Sequence, residues 1–449
     1  PSVVGDGTHT ITQLVEIENR NPLRGEGHGS ALSKLRLDEI AIARIKKQGF
    51  TAESVPEQGV RVVLRNNANL STGGSATDVT DNVHPAMAEM VIQAAQQIGI
   101  EVCGVDVVCE RVDESLEAQG GGIVELNAAP GLRMHLEPSI GKGRDVGAAV
   151  IDLMFPNNEN GRIPVVAVTG TNGKTTTVRL IEQILRYHNL RVGFTGTEGV
   201  VVNGHLIDTG DCSGPKSAHK VLVHPEADAA VLECARGGML REGLGFDMCD
   251  VGIVTNIGEG DHLGLNFIDS VEDLALLKSV LVQNVAPHGL SVLNADDKHT
   301  VAMAKLTPGR VLFFTSNPDN TVVAGHKAKG QPVIVHDGRL VHISYDGLEK
   351  SIDLSEVPLT NNGIFTFQVQ NVMCAIATGL GLKVPFETIK AALATFQSTP
   401  DTVPGRFNFF DHKGASVIAD YGHNPDAIAT LVNTLKNVPA ITRTIVLSA

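Results

Sequence analysis

Val165-Val-Ala-Val-Thr-Gly-Thr-Asn-Gly-Lys-Thr-Thr-Thr177 is the stretch whose reading decides the fold. Val165 to Val168 are apolar and mostly β-branched, which predicts a short buried strand. Gly170 and Gly173 let the backbone turn tightly and come close to a ligand. Lys174 and Thr175 follow, and a helical pattern runs from Thr176 to about Tyr187. Strand, glycine turn, Lys-Thr and helix together make a phosphate cradle. Backbone N–H groups and the helix N-terminus face the anion, Lys174 reaches the outer phosphates, and Thr175 holds Mg²⁺. Val168 stands where the motif G-x-x-x-x-G-K-[ST] has its first glycine, so the loop is the shorter T-G-T-N-G-K-T. A plain glycine turn also joins a strand to a helix, but it would not need the lysine.

The composition bounds what surrounds this loop. The 449 residues suffice for two or three domains and a large core. Hydrophobic residues at 42% and charged residues at 19% are ordinary for a soluble globular chain. A net charge of −14 argues against a general polyanion binder, and the absence of Trp argues against a base-stacking nucleic-acid surface. The six cysteines have no C-x-x-C spacing and read as reduced, mostly buried residues of a cytoplasmic protein. No apolar run approaches 18 residues and no signal peptide is visible. Pro1 at the start, and a strand-like Thr444 to Ala449 at the end, suggest a piece of a longer protein.

Residues 1–160 read as a first domain. Helices are expected over Ile11–Glu18, Leu37–Gln48 and Pro85–Ile98, and strands over Arg61–Leu64, Val102–Val108 and Ile123–Asn127. The loop Asn69-Leu-Ser-Thr-Gly-Gly-Ser75, with Asn69, Ser71, Gly73 and Gly74, offers hydroxyls and backbone donors for an anion; a glycine hinge fits it too. Asp106, Glu125 and Asn127 place three hard oxygen donors on neighbouring strands, a set that suits Mg²⁺. The solvated face of an antiparallel sheet explains the same residues.

Residues 161–398 form the second domain around the phosphate loop, and 399–449 a third part. Ala229 to Gly238 reads as a buried strand running into a glycine turn, with Glu233 at its end, where open α/β sheets place ligands. Val251 to Asn256 is another strand, followed by Gly260-Asp-His-Leu263 and a helix carrying Lys278. Glu233, His262 and Thr175 beside one phosphate loop are expected to share Mg²⁺ and ATP. Asp208 to Pro215 reads as a polar loop; Asp208 and Asp211 would suit the guanidinium of an arginine, and a solvated loop fits as well. Beyond it come a turn at Thr402 to Arg406, a strand at Val417–Asp420, and a helix after Asn424-Pro425.

Two resemblances sharpen this reading. Gly104-Val-Asp106 with Val124-Glu-Leu-Asn-Ala-Ala-Pro-Gly131 looks like the C-terminal half of an ATP-grasp ligase such as glutathione synthetase. That implies Mg²⁺ on Asp106, Glu125 and Asn127, and a substrate loop at Asn69 to Gly74. Where the family usually has an arginine this chain has Asn67, and Arg65 is the nearest candidate to stabilise an acyl phosphate. Residues 165–449 resemble the Mur ligases and folylpolyglutamate synthetases through Thr169 to Thr177, Leu232-Glu-Cys-Ala-Arg236, Thr255-Asn-Ile257, Asp261-His-Leu263, Asn371 to Ala375, Pro404-Gly-Arg406 and Asp420 to Asp426. This implies an ATP site of Gly170, Thr171, Asn172, Gly173, Lys174, Thr175 and Thr176, with Asn371, Arg406, Asp420 and Tyr421 around the nucleotide. It implies metal ligands at Thr175, Glu233 and His262, a carbamylated Lys278, and a Rossmann-like C-terminal lobe.

The fusion of the two halves is similar to the cyanophycin synthetase family, in its two-site form. The resemblance implies an ATP-grasp site adding L-aspartate to a poly-Asp backbone and a Mur-like site adding L-arginine to the side-chain carboxylates. Both sites would work through an acyl phosphate, with ATP and Mg²⁺, and Lys174, Arg65 and His262 would carry the chemistry. The partners implied are L-aspartate, L-arginine, the cyanophycin polymer and further copies of the chain, as a homotetramer; neither nucleic acid nor membrane is implied. Another Mur or folylpolyglutamate-type ligase, a sister form polymerising β-Asp-Arg dipeptides, and a P-loop switch stay open as alternatives.

Overall fold

The structure is a computed structural model that describes residues 1–25, 32–66, 73–258, 263–264, 267–438 and 440–446. It divides into two compact units, Pro1–Gly161 and Arg162–Ala449. Asn69, Ser71 and His262 lie outside the described residues.

In the second unit the strand Val165–Thr169 is buried on both faces. Val166 and Val168 join one apolar core, while Val165 and Ala167 join another, as a period of two requires for a covered parallel strand. It pairs in parallel with Ala229–Glu233 on one side and Cys249–Val254 on the other. Around these three the chain builds one eleven-stranded sheet. On one flank stand Val192–Gly196, Gly199–Val202 and His205–Thr209, the last two antiparallel additions. On the other stand Val285–Asn294, Arg310–Thr315 and Val333–Asp337, then the antiparallel Leu340–Tyr345 and Leu348–Asp353. The chain leaves Val165–Thr169 toward one flank and later crosses to the other. The phosphate loop therefore sits where the strand order reverses, at the carboxyl ends of the strands.

Two helices cover the face carrying Val166 and Val168. Lys174–Tyr187 buries Val178, Ile181, Ile184 and Leu185, a stripe at helical spacing. Thr366–Gly381 is buried almost throughout, because it lies between the sheet and neighbouring helices. At Gly379 an added Cβ would lie 2.7 Å from Ile389 Cδ1 and 3.4 Å from Ile184 Cγ2, so glycine is what lets these helices close up. Ile184 is 1% exposed at this junction. Ile184→Ala is expected to cost about 2–5 kcal/mol in denaturant-induced unfolding. A cost below about 1 kcal/mol would show that this layer is not packed as described.

Several local expectations are corrected here. After Glu233 the chain does not simply turn on its glycines but forms the helix Arg236–Glu242. Asp208 is not in a loop; it sits in the edge strand His205–Thr209, and its carboxylate pairs with Lys220. Residues 408–436 form an antiparallel hairpin, Asn408–His412 with Ala415–Ala419, and the helix Pro425–Lys436. The one strand pair among the described residues there is antiparallel. Thr444 to Val446 are not a strand, since no neighbour among the described residues pairs with them.

The first unit has its own small core of Val3, Ile11, Leu14, Val15, Leu35, Ala41, Ile45, Val62 and Leu64. The helix Ile11–Asn19 opens on a capping box formed by Thr10 and Gln13, and the helix Glu39–Lys47 on Asp38. Ser2–Val4 pairs with Arg61–Val63, and Gly104–Val108 with Gly122–Asn127, both antiparallel. Arg144 bridges Asp78 at 2.8 Å and Asp81 at 2.6 Å, tying the chain after Gly141 to the segment before the helix Pro85–Ile98.

Candidate active site

The phosphate loop is held from beneath by the strand next to it. Thr171 N–H donates to Asn256 O at 2.9 Å, and Asn172 N–H to Asn256 Oδ1 at 2.9 Å. Thr255 Oγ1 donates to Asn172 O at 2.6 Å. Gly170 (φ 144°) and Gly173 (φ 89°) take conformations that side chains rarely adopt. A Cβ at Gly173 would run into Asn371 Oδ1, which places Asn371 hard against the loop. Gly173 is also the N-cap of the helix Lys174–Tyr187, so that helix's free N–H groups face the loop.

The loop's own functional groups converge. Lys174 Nζ donates to Gly170 O at 3.0 Å and Thr171 O at 3.1 Å. Thr175 Oγ1 donates to Glu233 Oε2 at 3.0 Å. Glu233 is 2% exposed, and burial pushes its carboxyl above the usual range while Lys174 and the Thr175 hydroxyl oppose that shift. A buried carboxylate beside a hydroxyl, at the mouth of a phosphate loop, is a hard-oxygen donor set that fits Mg²⁺. Lys278, wholly buried, reaches the loop from behind and donates Nζ–H to Gly170 O at 3.0 Å.

Two cavities meet at the loop. The larger, about 910 Å³, is lined by Asn371, Arg406, Asp420 and Tyr421. The smaller, about 680 Å³, is lined by Lys174, Thr175, Glu233, Asp208 and Asp211. Asn172, Gly173, Thr176, Arg406 and Tyr421 border both. Arg406 lies over the Tyr421 ring at 5.1 Å, and burial raises the Asp420 carboxyl. The residues expected around the nucleotide thus share the larger cavity, while Glu233, Asp208 and Asp211 line the smaller one, which Arg406 and Tyr421 also border. Thr255, Asn256 and Arg236, which the sequence offers only as motif residues without a role, and Arg241, which no motif marks, also line these cavities. The signal for the first two was a polar pair at the end of a buried strand.

The first unit places its predicted residues separately. Asp106 stands opposite Glu125 across the strand pair, and Asn127 opposite Gly104. Cross-strand partners and residues two apart share a face, so the three oxygen donors do too. Among the described residues, no three His, Cys, Asp or Glu side chains gather as a metal site. Arg65 pairs with Asp38, the cap of the helix Glu39–Lys47, so its guanidinium is occupied there. Gly73 (φ 89°) and Gly74 are buried, and a Cβ on Gly73 would meet Leu35 Cδ2 at 2.5 Å.

The Mur ligase middle domain matches residues 168–379, and the Mur ligase glutamate ligase domain matches 405–449. Cyanophycin synthetase of Trichormus variabilis is 42% identical over 424 residues, 94% of this chain and 47% of that protein. The chain is a cyanophycin synthetase homologue. The corresponding protein of Synechocystis is 41% identical over 436 residues, 97% of this chain and 50% of that one. The chain spans about half the length of the curated relatives it matches. The second unit accordingly has a Mur ligase-like α/β fold with a large mixed sheet. The glutathione biosynthesis bifunctional protein of Clostridium perfringens is 38% identical over 154 residues, 34% of this chain and 20% of its own length. A solved folylpolyglutamate synthase/dihydrofolate synthase is 20% identical, covers 68% of this chain and 72% of its own, and superposes with a TM-score of 0.45. No helix of the described residues is long and apolar enough to cross a membrane.

Proposed function

We propose that this protein is an ATP-dependent amide ligase of the cyanophycin synthetase type, with its Mur-like site on the phosphate loop. The observation that carries this reading is the convergence of Lys174, Thr175 and Glu233 on one loop between two cavities. One cavity has the size and lining for a nucleotide, the other for the groups to be joined. A carboxylate oxygen of the acceptor attacks the γ-phosphorus of ATP, the bond to the β-phosphate oxygen breaks, and ADP leaves. An amine then attacks the acyl carbon, loses a proton, and phosphate departs. Lys174 neutralises charge on the transferring phosphoryl group, and the helix N-terminus receives the phosphates. Thr175, Glu233 and His262 are the residues that would hold Mg²⁺, which supplies charge neutralisation on the phosphates when bound. Asn371, Arg406, Asp420 and Tyr421 orient the nucleotide.

The substrates proposed are L-arginine and a polymer of aspartate at this site. At an ATP-grasp site in residues 1–160, Asp106, Glu125 and Asn127 would hold Mg²⁺ for addition of L-aspartate, in a homo-oligomer. The test is phosphate release from Mg-ATP with a short Asp-Arg primer, adding aspartate, arginine or both. Arginine-dependent release that disappears in Lys174→Ala, and aspartate-dependent release that disappears in Glu125→Ala, is the expected result. Release indifferent to either amino acid would overturn the assignment and leave a generic ligase.

A further inference from the structure

The smaller cavity presents a cation that the proposed chemistry does not use. Arg241, on the helix Arg236–Glu242, lines it together with Lys174, Thr175 and Glu233. Other charges on its wall are engaged. Lys220 pairs with Asp208, and Lys216 with Glu242 at 3.3 Å. Asp211 accepts from Ser213, at 3.2 Å from the backbone N–H and 2.5 Å from the hydroxyl. Arg241 is exposed and, among the described residues, makes no hydrogen bond or ion pair.

Two glycines set this arrangement. A Cβ on Gly238 would lie 2.8 Å from Gly214 Cα, so this glycine lets the helix close against the N-terminus of the helix Pro215–Leu222. A Cβ on Gly237 would lie 3.2 Å from Arg241 Nη1 and 3.6 Å from Nη2. The guanidinium therefore lies along the first turn of its own helix, over the space that glycine leaves open. A guanidinium in this position offers a planar fork of donors that matches a carboxylate with two hydrogen bonds.

We propose that Arg241 binds a substrate carboxylate that stays ionised through the reaction, and so helps the smaller cavity select acidic peptide or amino-acid substrates. This rests on the ligase reading of the same site. The carboxylate has two possible sources, the acidic primer and the α-carboxylate of the incoming amino acid, and the chemistry of recognition is the same for both.

Steady-state kinetics of Arg241→Gln, varying the Asp-Arg primer, L-arginine and ATP in turn, separates the sources. The KM of one carboxylate substrate is expected to rise about 10- to 100-fold, as loss of a charged hydrogen-bonded pair implies. The KM of ATP should stay unchanged. A rise for the primer assigns the residue to the acceptor, and a rise for arginine assigns it to the amino acid. Gly237→Ala, which keeps the charge but displaces the guanidinium, should raise the same KM by less. Unchanged KM values for both carboxylates, or an equal rise for ATP, would overturn the proposal. Calorimetric binding of primer and of L-arginine to wild type and Arg241→Gln needs no turnover. It reads the carboxylate contact even if phosphate release fails to show a ligase: weaker binding of either ligand to the variant supports the contact, and equal binding of both refutes it.

Discussion

Lys174→Met is expected to lower amino-acid-dependent phosphate release by about 10²–10³-fold, the loss found when one preorganised charge-stabilising donor is removed. Methionine keeps most of the side-chain length and is a good helix former, so the helix Lys174–Tyr187 should persist and the unfolding midpoint should barely move. What disappears is the ammonium that now lies 3.0 Å from Gly170 O and 3.1 Å from Thr171 O, at the edge of the cradle. The substitution also acts at a second place. Lys174 is among the groups that oppose the burial-driven rise of the Glu233 carboxyl. Without it that carboxyl holds its proton to higher pH, and a protonated carboxyl is a poor ligand for Mg²⁺. Residual activity of the variant should therefore increase as pH is raised, because raising pH ionises Glu233. Phosphate release measured from pH 6 to 9 on both proteins checks this. Activity within about threefold of the parent would remove Lys174 from the chemistry, since it is far smaller than a lost transition-state contact.

The local code for this site was strong, which is why so much of it could be read from the chain alone. Val165–Thr169 is buried on both faces because its residues are apolar without alternation, and the glycines after it carry the φ values that the turn needs. Glu233 could be located because a charged residue at the end of an apolar run has few places to be except a strand's carboxyl end. What local pattern does not carry is the identity of partners far apart in sequence. Lys278 reaches Gly170 from 108 positions away, and Asn371 closes on Gly173 from a helix nearly 200 positions away. Their meeting is set by packing, not by spacing. Asp208 looked like part of a loop because Asp-Thr-Gly-Asp is turn-rich, yet strand pairing with Val200 and the ion pair with Lys220 overrode that propensity. The helix Arg236–Glu242 was hidden for the opposite reason. Its two glycines read as a turn, whereas in the fold Gly238 is needed for close approach to Gly214. Arg65 shows the same limit in the first unit, since nothing in its neighbourhood in sequence points to Asp38.

Gly170→Ala is expected to destabilise the protein by about 2–6 kcal/mol, the sum of a strained backbone conformation and an overpacked contact. At φ 144° an L side chain is strained whatever the room, and here there is no room. The new Cβ would run into Thr255 Oγ1 and lie 3.1 Å from Thr255 Cβ and 3.2 Å from Asn256 N. None of these neighbours is free to yield. Thr255 Oγ1 donates to Asn172 O at 2.6 Å, and the side chain of Asn256 accepts the Asn172 N–H at 2.9 Å. The carbonyl of Gly170 receives Lys174 from one side and Lys278 from the other, each at 3.0 Å. Relief at Thr255 must therefore move the loop itself, so ATP affinity should fall along with stability. The two causes separate in a double-mutant cycle with Thr255→Ala, which removes the clashing hydroxyl but leaves the backbone strain. Partial recovery of the denaturation midpoint, with a coupling of about 0.5–3 kcal/mol, is expected for residues in direct contact. Full additivity would mean that the clash is relieved elsewhere and the strain alone matters. A neutral Gly170→Ala would mean that the loop does not hold the close approach on which the phosphate cradle depends.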